Sequence, residues 1–197
     1  MSVKCEQFNI KCHFCNGNHA CRDCPIEAIK APEYRKKVGT MFENWVSCNI
    51  ECPNCKGHLR VLGNHTPSLD LICDNPECIH NQFECKSKCL SVSKLPSDIR
   101  LPHGSYNDFV NRLHDGLNLI VVIYGVDRIN KTINIREVRY ANNNDLHNTD
   151  IVEINKRSDS NLSSIFIRDK NKLKKINHGS KNVCLKFTSS NLITQTC

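Results

Sequence analysis

The chain has 197 residues, a formal charge of +7 and fourteen cysteines in a mildly hydrophilic average composition. This length supports one core of ordinary size with room for a small satellite module, and no apolar run reaches the roughly 20 residues that span a bilayer. Met1 to Cys12 lacks the apolar centre of a secretory signal, which predicts a reducing intracellular compartment, cytoplasm or nucleus, where the cysteines serve metal rather than disulfides.

Residues 1–30 form the first expected unit, cysteine-rich and too poor in apolar side chains to fold without a staple. Its core reads Cys12-His13-Phe14-Cys15-Asn16-Gly17-Asn18-His19-Ala20-Cys21-Arg22-Asp23-Cys24. This resembles the zinc knuckle of single-strand nucleic-acid-binding proteins, with one residue fewer between Cys15 and His19. Cys12, Cys15, His19 and Cys24 are the favoured zinc ligands, and Cys21 is the alternative to His19.

The second unit, 31–197, opens with a helix. After Pro32, the residues Tyr34, Val38, Met41, Phe42, Trp45 and Val46 recur at helical spacing over Glu33 to Cys48, and the same helix carries Glu43. Leu59 to Leu62, Leu69 to Cys73 and Gln82 to Lys86 follow as short strands. Gly104-Ser105 caps a helix from Tyr106 to about Asp115. Leu117 to Tyr124 and Thr132 to Val138 are successive strands, the polar stretch Ala141 to Asp150 is expected as a surface loop, and Ile151 to Ile154, Ser164 to Arg168 and Val183 to Phe187 close the strand set. The plan is α/β, or α+β.

Cys52-Pro53-Asn54-Cys55 and Cys73-Asp74-Asn75-Pro76-Glu77-Cys78 have the spacing of a zinc ribbon over 52–78. Turn formers sit at the bends that the two knuckles need. Because zinc holds thiolates, a four-Cys site adds about −2 and a three-Cys, one-His site about −1, which brings the +7 of the bare chain to about +4. The remaining positive charge includes Lys30, Arg35, Lys36 and Lys37 early in the chain, and Lys170, Lys172, Lys174 and Lys175 late. Such clusters suit phosphate contacts.

Side chains alternate along a strand, so Glu84 and Lys86 share one face while Phe83 and Cys85 take the other. Asp70 is a lone charge between Leu69 and Leu71. Carboxylates at the edge of a core need a partner. A divalent cation held by Asp70, Glu84 and the Cys85 carbonyl would supply one, with hard oxygen ligands that suit magnesium, or manganese as the alternative. Lys86 beside it could orient the attacking water and stabilise the phosphate.

Pro67-Ser68-Leu69-Asp70 followed by Glu84-Cys85-Lys86 resembles the PD-(D/E)XK nuclease signature. The longer stretch from Glu43-Asn44-Trp45-Val46 through the four cysteines to Phe83-Glu84-Cys85-Lys86-Ser87-Lys88 is similar to the catalytic domain of the DpnI family of methyl-directed restriction endonucleases. The similarity continues through Gly104-Ser105-Tyr106 and Arg112, and covers roughly residues 35 to 170. It implies a restriction-endonuclease-like mixed sheet flanked by helices with an embedded zinc ribbon. It further implies a magnesium-dependent endonuclease that cleaves duplex DNA, with Asp70, Glu84 and Lys86 as catalytic residues and Glu43 as a further acid near the metal. Methylation-directed recognition and a homodimer both stay open. The alternative from another class is a catalytically inactive, zinc-dependent nucleic-acid-binding protein that keeps the fold.

Overall fold

The computed structural model describes residues 32–63, 66, 68–90, 95–127, 132–156, 158, 161–178, 182–187 and 192–196. The expected N-terminal module, with Cys12, Cys15, His19, Cys21 and Cys24, lies outside the described residues.

The first helix, α1 (Pro32–Asn49), buries Val38, Met41, Phe42, Trp45 and Val46. Steps of three and four residues place these side chains on one stripe. Ile50 closes the stripe, its amide donating to the Val46 carbonyl at 2.9 Å. Three strands follow, β1 (Leu59–Val61), β2 (Leu71–Cys73) and β3 (Gln82–Cys89), paired antiparallel in that order. Next come β4 (Ile99–Ser105) and the helix α2 (Tyr106–His114), which carry the chain across to β5 (Asn118–Asp127), parallel to β3. A hairpin returns as β6 (Thr132–Ala141).

Beyond β6 the chain forms a short helix α3 (Asn143–His147), strands β7 (Val152–Lys156) and β8 (Leu162–Ile167), a 3-10 turn (Lys170–Lys172), and strands β9 (Lys174–Ile176), β10 (Asn182–Phe187) and β11 (Leu192–Thr196). Among the described residues these strands make two sheets. The larger runs β1-β2-β3-β5-β6-β10-β11, with β9 also on β6, and the smaller runs β4-β8-β7. The result is a mixed α+β fold, as the sequence implied.

β5 is the hub. Ile120, Val122 and Tyr124 face the core under α1, together with Phe83 and Cys85 of β3. Leu119, Val121 and Ile123 face a second core built from α2, β4, β7 and β8, including Phe109, Leu101, Val152 and Ile165. Burial on both faces explains why this segment is a continuous apolar run rather than an alternating one.

Three expectations need correction. Ile99–Ser105 is a strand, where the sequence reading placed only the Gly104-Ser105 cap of the next helix. β4 pairs only with β8 and is the edge of the small sheet, a position that tolerates a residue without an N–H. Its residues alternate buried and exposed, with Ile99, Leu101 and His103 pointing inward. The polar stretch 141–150 holds helix α3, because Asn142 forms a capping box with Asp145, each side chain bonding the other's backbone amide at 2.9 and 3.0 Å. The strand expected from Leu69 is shorter, and Asp70 stands one residue before β2. Within the described residues no helix is long and apolar enough to cross a membrane.

Candidate active site and cysteine cluster

Asp70 is positioned by backbone bonds on both sides. Its amide donates to the Phe83 carbonyl at 3.1 Å, and its own carbonyl accepts from Leu62 N–H at 3.0 Å. Ser68, two residues earlier, has a φ of 54°, in the left-handed region that few non-glycine residues adopt. The chain therefore bends sharply into Asp70. Its Oδ2 accepts from the Cys85 amide at 2.8 Å, just past the end of the β2–β3 ladder. In an extended strand a residue's N–H and C=O leave on the same side, so the Cys85 carbonyl is directed toward this carboxylate as well.

Glu84 and Lys86 project from the face of β3 opposite Phe83 and Cys85, as the alternation required. Glu84 is only 2% exposed. The Lys86 ammonium is in close contact with Glu84 Oε1 and lies 3.9 Å from Asp70 Oδ2. His103, from β4, reaches the same Oε1 with Nε2 at 3.1 Å. The other oxygen, Oε2, is buried and has no hydrogen-bond partner among the described residues.

These contacts set the charges. Burial and the neighbouring Glu84 push the Asp70 carboxyl up to about 7, against the opposing pull of Lys86 and the Cys85 amide. Burial also works against ionised Glu84, but the Lys86 charge and the His103 bond outweigh it and hold its pKa below the ordinary value. Lys86 is held above its usual range: burial disfavours its charge, and Glu84 and Asp70 more than offset that. Glu43, half-buried on α1, is raised by burial; Lys86 opposes the rise and Glu84 adds to it. Three carboxyl groups thus act on one ammonium, and the surplus is negative.

That surplus, with an orphaned buried carboxylate oxygen, is the donor chemistry of a hard divalent cation site. Asp70, Glu84 and the Cys85 carbonyl could hold such an ion, in line with the sequence expectation. Sequence reasoning missed His103 and its neighbour Ser163, on β8. The alternation of Ile99, Leu101 and His103 with Arg100, Pro102 and Gly104 was the available signal.

The second cluster lies at the far end of the β1–β2 hairpin. The sulfurs of Cys52, Cys55, Cys73 and Cys78 all fall within 4.8 Å of one another, with Cys52 to Cys78 at 3.7 Å and Cys55 to Cys73 at 3.4 Å. A disulfide would need about 2 Å, whereas zinc–sulfur bonds of about 2.3 Å in a tetrahedron separate the sulfurs by about 3.8 Å. The four cysteines could hold zinc. His58 and His80 are not part of the cluster: His58 pairs with Asp74 at 3.4 Å, and His80 contributes only its backbone carbonyl, to Asn54, Asn118 and Cys78.

The cluster is tied to the sheet centre. Fully buried Asn118, at the start of β5, donates to the carbonyls of His80 and Gln82 at 3.2 and 3.0 Å. The Tyr140 hydroxyl of β6 lies against the side-chain carbonyls of both Asn118 and Asn54. Gly57 completes the cradle, and its amide donates to Cys55 Sγ at 3.4 Å, which lowers that thiol to about 7. A Cβ at this position would lie 2.9 Å from Cys73 Sγ and 3.0 Å from Asn75 Cβ. Gly57→Ala is therefore expected to lower Tm by about 5 °C, from an overpacking cost of about 1–3 kcal/mol, and to speed zinc release to a chromophoric chelator.

No curated protein matches this chain. Residues 27–176 match the family described as DpnI: Dam-replacing family, a span that takes in every element from α1 to β9 and both sites, and the chain belongs to that family.

Proposed function

We propose that the protein is a magnesium-dependent DNA endonuclease that hydrolyses phosphodiester bonds in duplex DNA. The observation that carries this reading is the convergence of Asp70, Glu84 and Lys86 at one pole of the β2–β3 hairpin, in a chain whose family is one of nucleases. Asp70, Glu84 and the Cys85 carbonyl would hold the ion. When bound, a divalent cation neutralises charge on the scissile phosphate and activates a coordinated water.

The protein's own groups do the rest. Lys86 keeps a full positive charge because two acids face it, so it can bond the attacking water or the phosphate oxygen that gains charge. The Cys85 amide fixes the Asp70 carboxylate, leaving Oδ1 for the ion. Glu43 adds negative charge from the helix side and can orient a water on the outer side of the ion. The four-cysteine cluster is structural zinc: four sulfurs close a tetrahedron and leave no open position for chemistry. A second structural zinc is assigned to Cys12, Cys15, His19 and Cys24, with Cys21 as the alternative ligand.

The test is cleavage of plasmid DNA, adenine-methylated and unmethylated, with magnesium or with chelator. Linear or nicked product that requires magnesium is the expected result, and preference for the methylated plasmid would extend the family's restriction chemistry to this chain. Binding without cleavage on every duplex and single-stranded substrate would instead leave a nucleic-acid-binding protein with a nuclease fold.

A further inference from the structure

His103 is a buried polar neighbour of the pole. It is 8% exposed overall, its ring packs on Phe109 with centroids 4.4 Å apart, and both ring nitrogens face polar atoms. Nε2 lies 3.1 Å from Glu84 Oε1, and Nδ1 lies 3.2 Å from Ser163 Oγ. Ser163 is 1% exposed, so it is not a nucleophile for any substrate from solution. The chain Ser163–His103–Glu84 therefore ends at the carboxylate.

Hydrogen-bond chemistry fixes its direction. An ionised carboxylate is acceptor-only, so His103 must present Nε2–H to Glu84. Nδ1 faces the Ser163 hydroxyl at 3.2 Å, and that hydroxyl also has the Gly104 carbonyl at 3.4 Å as an acceptor. Ser163 thereby holds the far edge of the ring while Nε2–H points at Glu84. The consequence lies at the other oxygen. Oε1 is occupied by Nε2–H and the Lys86 ammonium, whereas Oε2 is buried and unpartnered. Two donors on Oε1 restrain the carboxylate and leave the Oε2 lone pairs unspent.

We infer that His103, its ring held between Ser163 and Phe109, is a positioning residue that clamps Glu84 Oε1 so that Oε2 serves as a preformed ligand for the divalent cation. This rests on the metal-site reading above. Groups that orient a metal ligand from behind are commonly worth 10- to 100-fold in metal affinity or activity.

The test is titration of the full-length, zinc-loaded protein with Mn2+, the free ion being followed by electron paramagnetic resonance, with zinc content and thermal melting measured on every variant. His103→Leu fills the site without a donor and is expected to raise the half-saturating Mn2+ concentration about tenfold or more. His103→Gln can again offer an N–H to Oε1 and is expected to recover to within about threefold of wild type. Ser163→Ala, which leaves His103 in place, is expected to shift affinity in the same direction by a smaller factor.

Wild-type Mn2+ affinity in His103→Leu overturns the inference; should that variant fail to fold, wild-type affinity in Ser163→Ala overturns it. Equal losses in the Gln and Leu variants also overturn it, because they would mark a general packing defect. Asp70→Ala and Glu84→Ala separate the two levels. If these abolish Mn2+ binding and the His103 and Ser163 variants do not weaken it, only the clamp fails. If Asp70→Ala and Glu84→Ala leave binding intact, the metal site itself is misplaced.

Discussion

Lys86→Ala is expected to reduce DNA cleavage at least a hundredfold while DNA binding and zinc content stay as in the wild type. Removing one preorganised charge from a phosphate-transfer site commonly costs a factor of 10² to 10³. The same substitution has a second, opposite-looking signature. Without magnesium it strips Glu84 of its ammonium partner, in a site where that carboxylate is almost wholly buried. Breaking a buried pair costs about 3 kcal/mol or more, so the metal-free variant should melt well below the wild type. Added magnesium supplies positive charge to the same carboxylates, and the difference in Tm should narrow. Cleavage should not return, because the ion replaces the charge but not the donor. Lys86→Arg would be an informative companion: it keeps the charge but presents a planar fork in place of a compact ammonium, and at least a tenfold deficit is expected. Full activity of Lys86→Ala on plasmid would remove Lys86 from the chemistry.

Cys73→Ser is expected to abolish cleavage without touching any of the acids. β1 and β2 are three residues each, too short to hold a hairpin by themselves. Asp70 lies one residue before β2 and Cys73 is the last residue of that strand, so the same short segment serves both sites. Binding free energies at structural zinc sites are on the order of 10 kcal/mol, and most of that appears as folding energy. Loss of one sulfur should lower Tm by about 10 °C or more and release zinc to a chelator that spares magnesium. Proteolysis should then open the chain within 59–73 before it attacks β5. Treating the wild type with the same chelator should reproduce the effect, and returning zinc should restore cleavage. Cleavage that persists after zinc is removed would mean the hairpin stands without the ion.

How far the fold could be read in advance depended on how local the determinants are. The stripe of α1 and the face alternation of β3 are properties of neighbouring residues, and both appeared in the structure at nearly the expected bounds. The gathering of Cys52, Cys55, Cys73 and Cys78 was legible because knuckle spacing is a local constraint, and the approach of Asp70 to β3 beside Glu84 because the intervening segment closes a hairpin. β4 was not legible. Pro102 is tolerated because β4 is an edge strand among the described residues, a fact of the small sheet's order rather than of 99–105. Missing β4 meant missing His103, since its inward direction follows from a strand that had not been expected. α3 was hidden for a different reason: an Asn-rich stretch reads as loop until one asparagine is seen to cap a turn.

The strand buried on both faces has a consequence for how the molecule comes apart. Because Leu119, Val121 and Ile123 belong to one core and Ile120, Val122 and Tyr124 to the other, neither half can loosen without exposing apolar surface in its neighbour. The amides of β5 should therefore exchange with deuterium only through global unfolding, on the slowest timescale in the chain. β3 is hydrogen-bonded along that strand from Phe83 to Cys89, so Glu84 and Lys86 ride on the least yielding part of the protein. Breathing motions would then be left to the hairpin that carries Asp70, and the gap between the two acids would vary from one side only.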